Sequence, residues 1–153
     1  MQIDNSAKAI IIKDNNILLI NNHDTHNIGE WHCLPGGCQR PGENLVDTVK
    51  RECMEEISVV PKVGNLLFVR EYVHRNHKFA HLDRNRHKIE FMFLCELDDT
   101  DVPAFGERPD ELQKQIVWVA LEDLDDITIY PSKIRELKRL LGDESPVYWG
   151  DIL

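Results

Sequence analysis

Three carboxylates, Glu52, Glu55 and Glu56, stand at i, i+3 and i+4 within residues 44–57, a stretch with neither Gly nor Pro. On a helix, at about 100° per residue, they share one edge. Two carboxylates about 4 Å apart repel by roughly 4 kcal/mol at an effective dielectric near 20. A helix that only needed solvation would match each acid with Lys four residues on, but Ile57, Val59 and Val60 follow instead. The three acids also lie toward the C-terminal end, where each negative charge is unfavourable by ~0.3–1 kcal/mol. A divalent cation among them removes both penalties, and oxygen-only donors favour a hard ion, Mg2+ first and Mn2+ second. From the helix alone, a solvated acidic face is the competing reading.

The neighbours of these acids extend the pattern. Gly37 is followed after five residues by Glu43, and after seven more by Arg51-Glu52. The apolar Cys53 comes next, then one residue, Glu55-Glu56, one residue, Ser58 and Val59. This spacing resembles the Nudix box, here residues 37–59, at every defining place but one. The lead-in Trp31-His32-Cys33-Leu34-Pro35-Gly36-Gly37 is similar to the loop before that box. The departure is Ser58, where the family has Gly. Position 58 falls at the helix end, where Gly takes a left-handed conformation freely. A side chain with a Cβ costs about 1 kcal/mol there. No ligand is lost by the change.

The resemblance implies an α+β fold, a Nudix-type α/β/α sandwich with a mixed β-sheet between helices, over residues 1–153 as a single domain. It implies metal-dependent hydrolysis of a phosphoanhydride (diphosphate) bond in a nucleoside diphosphate linked to a moiety X. Nucleotide sugars, ADP-ribose and nucleoside triphosphates are examples of such substrates. The alternative is a catalytically silent Nudix-fold nucleotide-binding or sensor module, which the intact Glu52, Glu55 and Glu56 disfavour. By the same resemblance Glu55 and Glu56 are the main metal carboxylates. Glu52 is a third ligand or the acceptor of a proton from the attacking water. The Gly36 carbonyl is a backbone ligand, with Gly37 supporting it. Arg51 and Glu43 form an ion pair that fixes loop against helix. A further carboxylate is expected from the segment between Leu97 and Trp118, with Glu111 favoured over Glu107 and Asp110, and Glu90 as second choice.

Charge and composition agree with a small-molecule enzyme. The chain has 153 residues, 42% of them hydrophobic, which suits one domain with a buried core. Its 18 Lys and Arg against 27 Asp and Glu give −9, a poor footprint for duplex nucleic acid. A pyrophosphate would be repelled unless metal inverted the local charge. Residues 70–90 are the exception. Arg70, Arg75, Lys78, Arg84, Arg86 and Lys88 there outnumber Glu71, Asp83 and Glu90. Arg70, Arg75 and Arg86 are the candidates to hold phosphates. His74, His77, His81 and His87 in the same stretch lack zinc-site spacing, as do His23, His26, His32, Cys33 and Cys38. The longest apolar runs, 9–12 and 17–20, are far too short for a membrane helix, and residues 1–6 do not resemble a signal peptide. Cys33, Cys38, Cys53 and Cys95 read as reduced, buried thiols, which places the protein in the cytoplasm.

Several elements must position these groups. Residues 7–12 and 16–20 form a hairpin around Asp14-Asn15. A short extended piece at 31–34 is stopped by Pro35-Gly36-Gly37, and Pro41-Gly42 makes a second turn. The helix over 44–57 turns Val46, Val49, Cys53 and Ile57 to one face. Strands follow over 63–73, 88–97 and 115–120, the second with a central buried Phe91-Met92-Phe93-Leu94. Ser132 is the expected N-cap of a helix over 133–141 closed by Gly142. Trp31 and Trp118 either stack on a base or fill the core. Tyr148 and Trp149 either cover the core or join a second subunit in a homodimer.

Overall fold

Alternation in the first strand divides the molecule into two cores. In β1 (Gln2–Lys13) the residues Ala7, Ala9 and Ile11 face one way, and Lys8, Ile10 and Ile12 the other. This computed structural model describes residues 2–26, 28–82, 85–142 and 144–153. Met1, Asp83 and Arg84, which entered the expectations above, lie outside the described residues. β1 turns through Asp14 and Asn15, at φ 50° and 62°, into β2 (Asn16–Asp24). Both turn residues take the left-handed conformation that two-residue hairpins require.

Next come β3 (Gly29–Cys33), β4 (Gly36–Cys38), α1 (Leu45–Ile57), β5 (Lys62–Val73), β6 (Arg86–Glu96) and β7 (Gln113–Ala120). β8 (Ile129–Tyr130), a 3-10 turn over Ser132–Glu136, α2 (Leu137–Leu140) and β9 (Tyr148–Asp151) complete the order. The strands lie in the order β8-β3-β2-β1-β6-β5-β9, with β4 also on β1 and β7 also on β2. The sheet is mixed. β1 runs parallel to β6 from Gln2↔Arg86 to Ile11↔Cys95, and meets β2 antiparallel only at Ile12 and Lys13. The two halves of the sheet therefore join at the end of β1.

α1 covers one face, burying Val49, Cys53 and Ile57 against Ala7, Ala9, Ile11 and Phe93. On the other face Ile134, Leu137 and Leu140 pack on Ile10, Phe68 and Met92. Each fully buried aliphatic side chain contributes roughly 1.5–3 kcal/mol. Val46 is only half buried, so the α1 face is narrower than its periodicity suggests. Asn44 caps α1 by accepting the Asp47 amide at 2.9 Å.

The structure corrects four expectations. Pro35-Gly36-Gly37 does not end regular structure, because Gly36 and Gly37 pair with Lys8 and Ala7 in β4. Gly36 has φ 124°, and a Cβ there would lie 2.2 Å from the Ala7 carbonyl oxygen, so only glycine lets the strands close. Ser132 does not cap a helix; its hydroxyl donates to the Leu153 carbonyl at 2.8 Å, and the segment begins as a 3-10 turn. All four cysteines are free, but only Cys53 and Cys95 are buried, whereas Cys38 is exposed. Trp118 is 40% exposed and stacks in no core. Trp149 is buried and lies on Phe68 with ring centroids 4.4 Å apart, so it covers the core. No helix of the described residues is long and apolar enough to cross a membrane.

Candidate active site

α1 and the loop before it meet at one guanidinium. Arg51 reaches Glu43 through Nε at 2.5 Å and Nη2 at 3.0 Å, Glu52 through Nη1 at 2.6 Å, and Glu55 through Nη1 at 3.2 Å. Its Nη2 also donates to the Cys38 carbonyl at 2.9 Å, tying β4 to the helix. Glu43 accepts further bonds from the Arg40 amide and the Thr48 hydroxyl, both at 3.0 Å. These donors, Arg51 first, hold the Glu43 carboxyl down at about 2. Arg51 in turn is held above the usual guanidinium range, chiefly by Glu43. Glu55 also binds Arg40 at 3.2 Å.

Glu56 is different. It is buried at the edge of the apolar face, and its Oε2 accepts the Gly36 amide at 2.7 Å. Burial pushes its carboxyl up to about 7, against the pull of Lys8 and the Gly36 amide, with Asp110 and Glu52 adding to the rise. The carbonyl of the same Gly36 accepts a hydrogen bond from Lys8 Nζ. Burial works against that ammonium, but Cys33, Glu90, Glu56 and Asp110 outweigh it and hold Lys8 in its charged form. A Cβ on Gly37 would lie 2.7 Å from the Glu52 carboxylate, so glycine leaves the room that this side chain uses. Gly37→Ala is expected to displace the flexible end of Glu52 with little loss of stability. A fall in kcat without a matching fall in melting temperature would check this.

Beyond β1 lies a cavity of about 520 Å3 between the two halves of the sheet. Trp31, Tyr72, Phe79 and Tyr130 supply aromatic walls, with Arg70, Arg86 and Asp24 among the polar ones. Arg70 donates to Glu90 at 2.6 Å, a pair with side chains 7% and 8% exposed, and to the Ile152 carbonyl at 2.5 Å. Burial raises the Glu90 carboxyl, but Arg70 and then Lys8 more than reverse it. A line of alternating charges thus runs from Glu56 through Lys8 and Glu90 to the cavity wall.

The sequence-predicted residues separate into two groups. Glu43, Arg51, Glu52, Glu55, Glu56, Gly36 and Gly37 come together, and Arg70 and Arg86 line the cavity. Arg75 is exposed on a 3-10 turn and lines no part of that cavity. Glu90 is committed to Arg70. Glu111 and Asp110 are both exposed, but Asp110 is the loop acid whose charge reaches Glu56 and Lys8. Of the histidines, His77 pairs with Asp151 at 2.6 Å, His87 with Glu71 at 2.8 Å, and His32 bonds Asn21 and the Thr128 carbonyl. Lys8 was missed by the sequence reading. Its signal is a cation that interrupts the apolar residues of 7–12, on the same strand face as Ile10 and Ile12.

A family model described as the NUDIX domain matches residues 4–140. The chain belongs to the Nudix family. Over 99 residues this Nudix protein is 36% identical to an ADP-ribose pyrophosphatase of Methanocaldococcus jannaschii, an alignment covering 65% of the chain and 54% of that protein. The chain thus spans about half the length of that curated relative. A MutT NUDIX hydrolase from Burkholderia pseudomallei superposes with a TM-score of 0.70 at 24% identity, covering 88% of this chain and 96% of the other. An ADP-ribose pyrophosphatase from Streptococcus suis does so with a TM-score of 0.62 at 20% identity, covering 97% of each. These likenesses show the Nudix fold, a mixed curled sheet between helices.

The candidate donors are all oxygen, the chemistry a hard divalent cation takes. Among the described residues no group of three His, Cys, Asp or Glu side chains converges to hold a metal ion. Positive charge is supplied instead by Arg51, on Glu52 and Glu55, and by Lys8, on the Gly36 carbonyl. A protein cation already occupies each candidate oxygen ligand of the Nudix box except Glu56, and every donor is oxygen.

Proposed function

We propose that this Nudix protein hydrolyses a phosphoanhydride bond in a nucleoside diphosphate linked to a further group. The observation that carries this reading is Glu56, a buried carboxylate fixed on the Gly36 amide beside two carboxylates that share Arg51. A carboxyl held near 7 inside an acidic cluster is a costly arrangement, and such groups concentrate at functional sites. Gly36 through its carbonyl, Glu52, Glu55 and Glu56 would hold magnesium or manganese, with Glu111 or Asp110 approaching from the loop. The ion, when bound, neutralises phosphate oxygens and lowers the pKa of coordinated water for in-line attack at phosphorus.

The chain's own residues do the rest. Arg51 orients Glu52, which serves as a third ligand or as the acceptor of the proton that the attacking water releases. Arg70 and Arg86 face phosphates in the cavity, and Trp31, Phe79 and Tyr130 offer flat apolar faces to a base. ADP-ribose is the first compound to test, because the relative from Methanocaldococcus jannaschii carries that activity in its name.

Purified protein with magnesium or manganese is offered ADP-ribose, dinucleoside polyphosphates, nucleoside triphosphates and nucleotide sugars, with products separated by chromatography. Cleavage of ADP-ribose to two monophosphates is the expected result. Glu55→Gln is expected to lower turnover roughly 10²-fold, on the scale of removing one transition-state stabilising group, and to weaken manganese binding in calorimetry. Unchanged activity in that variant removes Glu55 from the site. Binding across the panel with no cleavage in either metal makes the chain a sensor module.

A further inference from the structure

The end of α1 is built in a way the Nudix box does not require. Ser58 closes the helix at φ 56° and ψ 25°, a left-handed conformation that disfavours any residue with a Cβ. The last carbonyls of the helix are capped by a distant segment, the connection between β6 and β7. The Ala104 amide donates to the Ile57 carbonyl at 3.0 Å, the Gly106 amide to Glu56 at 3.2 Å, and the Arg108 amide to Glu55 at 3.0 Å. Gln113 Nε2 adds a bond to the Glu56 carbonyl at 3.0 Å. A Cβ on Gly106 would stand 2.0 Å from the Glu55 carbonyl oxygen, so glycine is what permits this approach.

Apolar burial does little to hold the segment. Val102 is 77% exposed and Phe105 52%. Polar bonds must therefore do most of the holding, and Ser58 contributes one, its hydroxyl donating to the Phe105 carbonyl at 3.1 Å. That bond sits between the Ala104 and Gly106 amide bonds and offsets a strain of the same order. The same segment leads to Asp110, whose charge meets Glu56 and Lys8.

We propose that Ser58 is a positioning residue. Its hydroxyl replaces the backbone ease of glycine with a tether that holds residues 98–112, and with them Asp110, against the helix end that carries Glu55 and Glu56. The tether matters for catalysis insofar as the proposed hydrolytic site is right, but its existence does not depend on that.

Ser58→Gly and Ser58→Ala in the full chain test it. Both lose the hydroxyl, and amide hydrogen exchange at Ala104, Gly106 and Arg108 is expected to quicken about fivefold in each, the scale of one hydrogen bond. Their melting temperatures should diverge. Ser58→Gly relieves the left-handed strain and holds or gains stability, whereas Ser58→Ala keeps the strain and loses stability. In both, kcat for the cleaved nucleotide should fall by roughly threefold or more with KM unchanged, and half-saturation by manganese should need more metal. A merely structural role would lower kcat only in the variant that melts earlier. Gly106→Ala, which forces the segment off the helix, serves as the fully released control. Unchanged exchange in both Ser58 variants overturns the proposal, and so does faster exchange with unaltered kcat and manganese half-saturation in Ser58→Gly. If neither parent nor variants cleave any nucleotide, exchange and manganese titration still decide the tether, and the hydrolytic reading fails separately.

Discussion

Glu56→Gln is expected to melt higher than the parent at pH 8 in chelator, while losing turnover by 10²-fold or more in magnesium. The two effects have one cause. Burial raises the Glu56 carboxyl from its ordinary 4.5 to about 7 in the folded protein. The folded state thus holds this proton more tightly than the unfolded chain does. Its contribution to stability is fully present below pH 4.5 and is lost as pH rises through 7, about 3 kcal/mol at 1.36 kcal/mol per pH unit. Glutamine keeps the acceptor for the Gly36 amide and carries no charge to desolvate. Lys8 retains Glu90 and the Gly36 carbonyl as partners. For a domain of this size each kcal/mol is roughly 2–4 °C. Urea titrations in chelator at pH 5 and pH 8 check the sign. The parent should weaken toward pH 8 and the variant should not. Carboxyls held low, such as Glu43 and Glu71, act in the opposite sense, losing their contribution only as pH falls below the ordinary carboxylate range. A lower melting temperature for Glu56→Gln at pH 8 would mean that the attraction of Lys8 exceeds the cost of burial. A site that carries a destabilising charge for the sake of chemistry is the usual trade between stability and function.

The acidic edge of α1 was legible because Glu52, Glu55 and Glu56 lie on one helix at fixed intervals, where neighbours in sequence are neighbours in space. The burial of Val49, Cys53 and Ile57 followed from the same periodicity, and the Asp14-Asn15 hairpin from local turn preference. What escaped depends on partners far along the chain. Gly36 and Gly37 read as a stop, yet their missing side chains are what admit β4 to β1. β8 and β9 are too short to show a period, and their partners lie about a hundred and about eighty residues away. Nothing in the sequence separates Glu111 from Asp110, since both are acids of one loop. The electrostatic contact of Asp110 follows from the path of the loop, which the carbonyls of α1 set through Ala104, Gly106 and Arg108. The left-handed backbone at Ser58 was foreseen from the box, but the hydroxyl's acceptor on Phe105 was not.

Arg51→Met is expected to lower both stability and turnover. Its guanidinium holds Glu43, Glu52, Glu55 and the Cys38 carbonyl at once, with a side chain 17% exposed. Methionine fills the stem but leaves Glu43, Glu52 and Glu55 facing one another with only Arg40, on Glu55, to offset them. The loss of stability should be about 2 kcal/mol, between that of an exposed ion pair and that of a buried one. Turnover should fall by 10- to 100-fold, the scale of removing a group that orients a metal ligand. Arg51→Lys should restore little, because an ammonium cannot present the fork that reaches Glu43 through two nitrogens while a third bonds Glu52. The cycle with Glu43→Gln separates structure from chemistry. If the guanidinium acts mainly by bracing the loop through Glu43, the double variant is no less stable than Arg51→Met alone, and stability is non-additive. Turnover behaves otherwise, since Glu43→Gln leaves the bond from Arg51 to Glu52 in place and should spare kcat more than Arg51→Met does. Equal kcat losses in the two single variants would show that Arg51 acts on the reaction only through the loop, and that its bond to Glu52 contributes nothing to turnover.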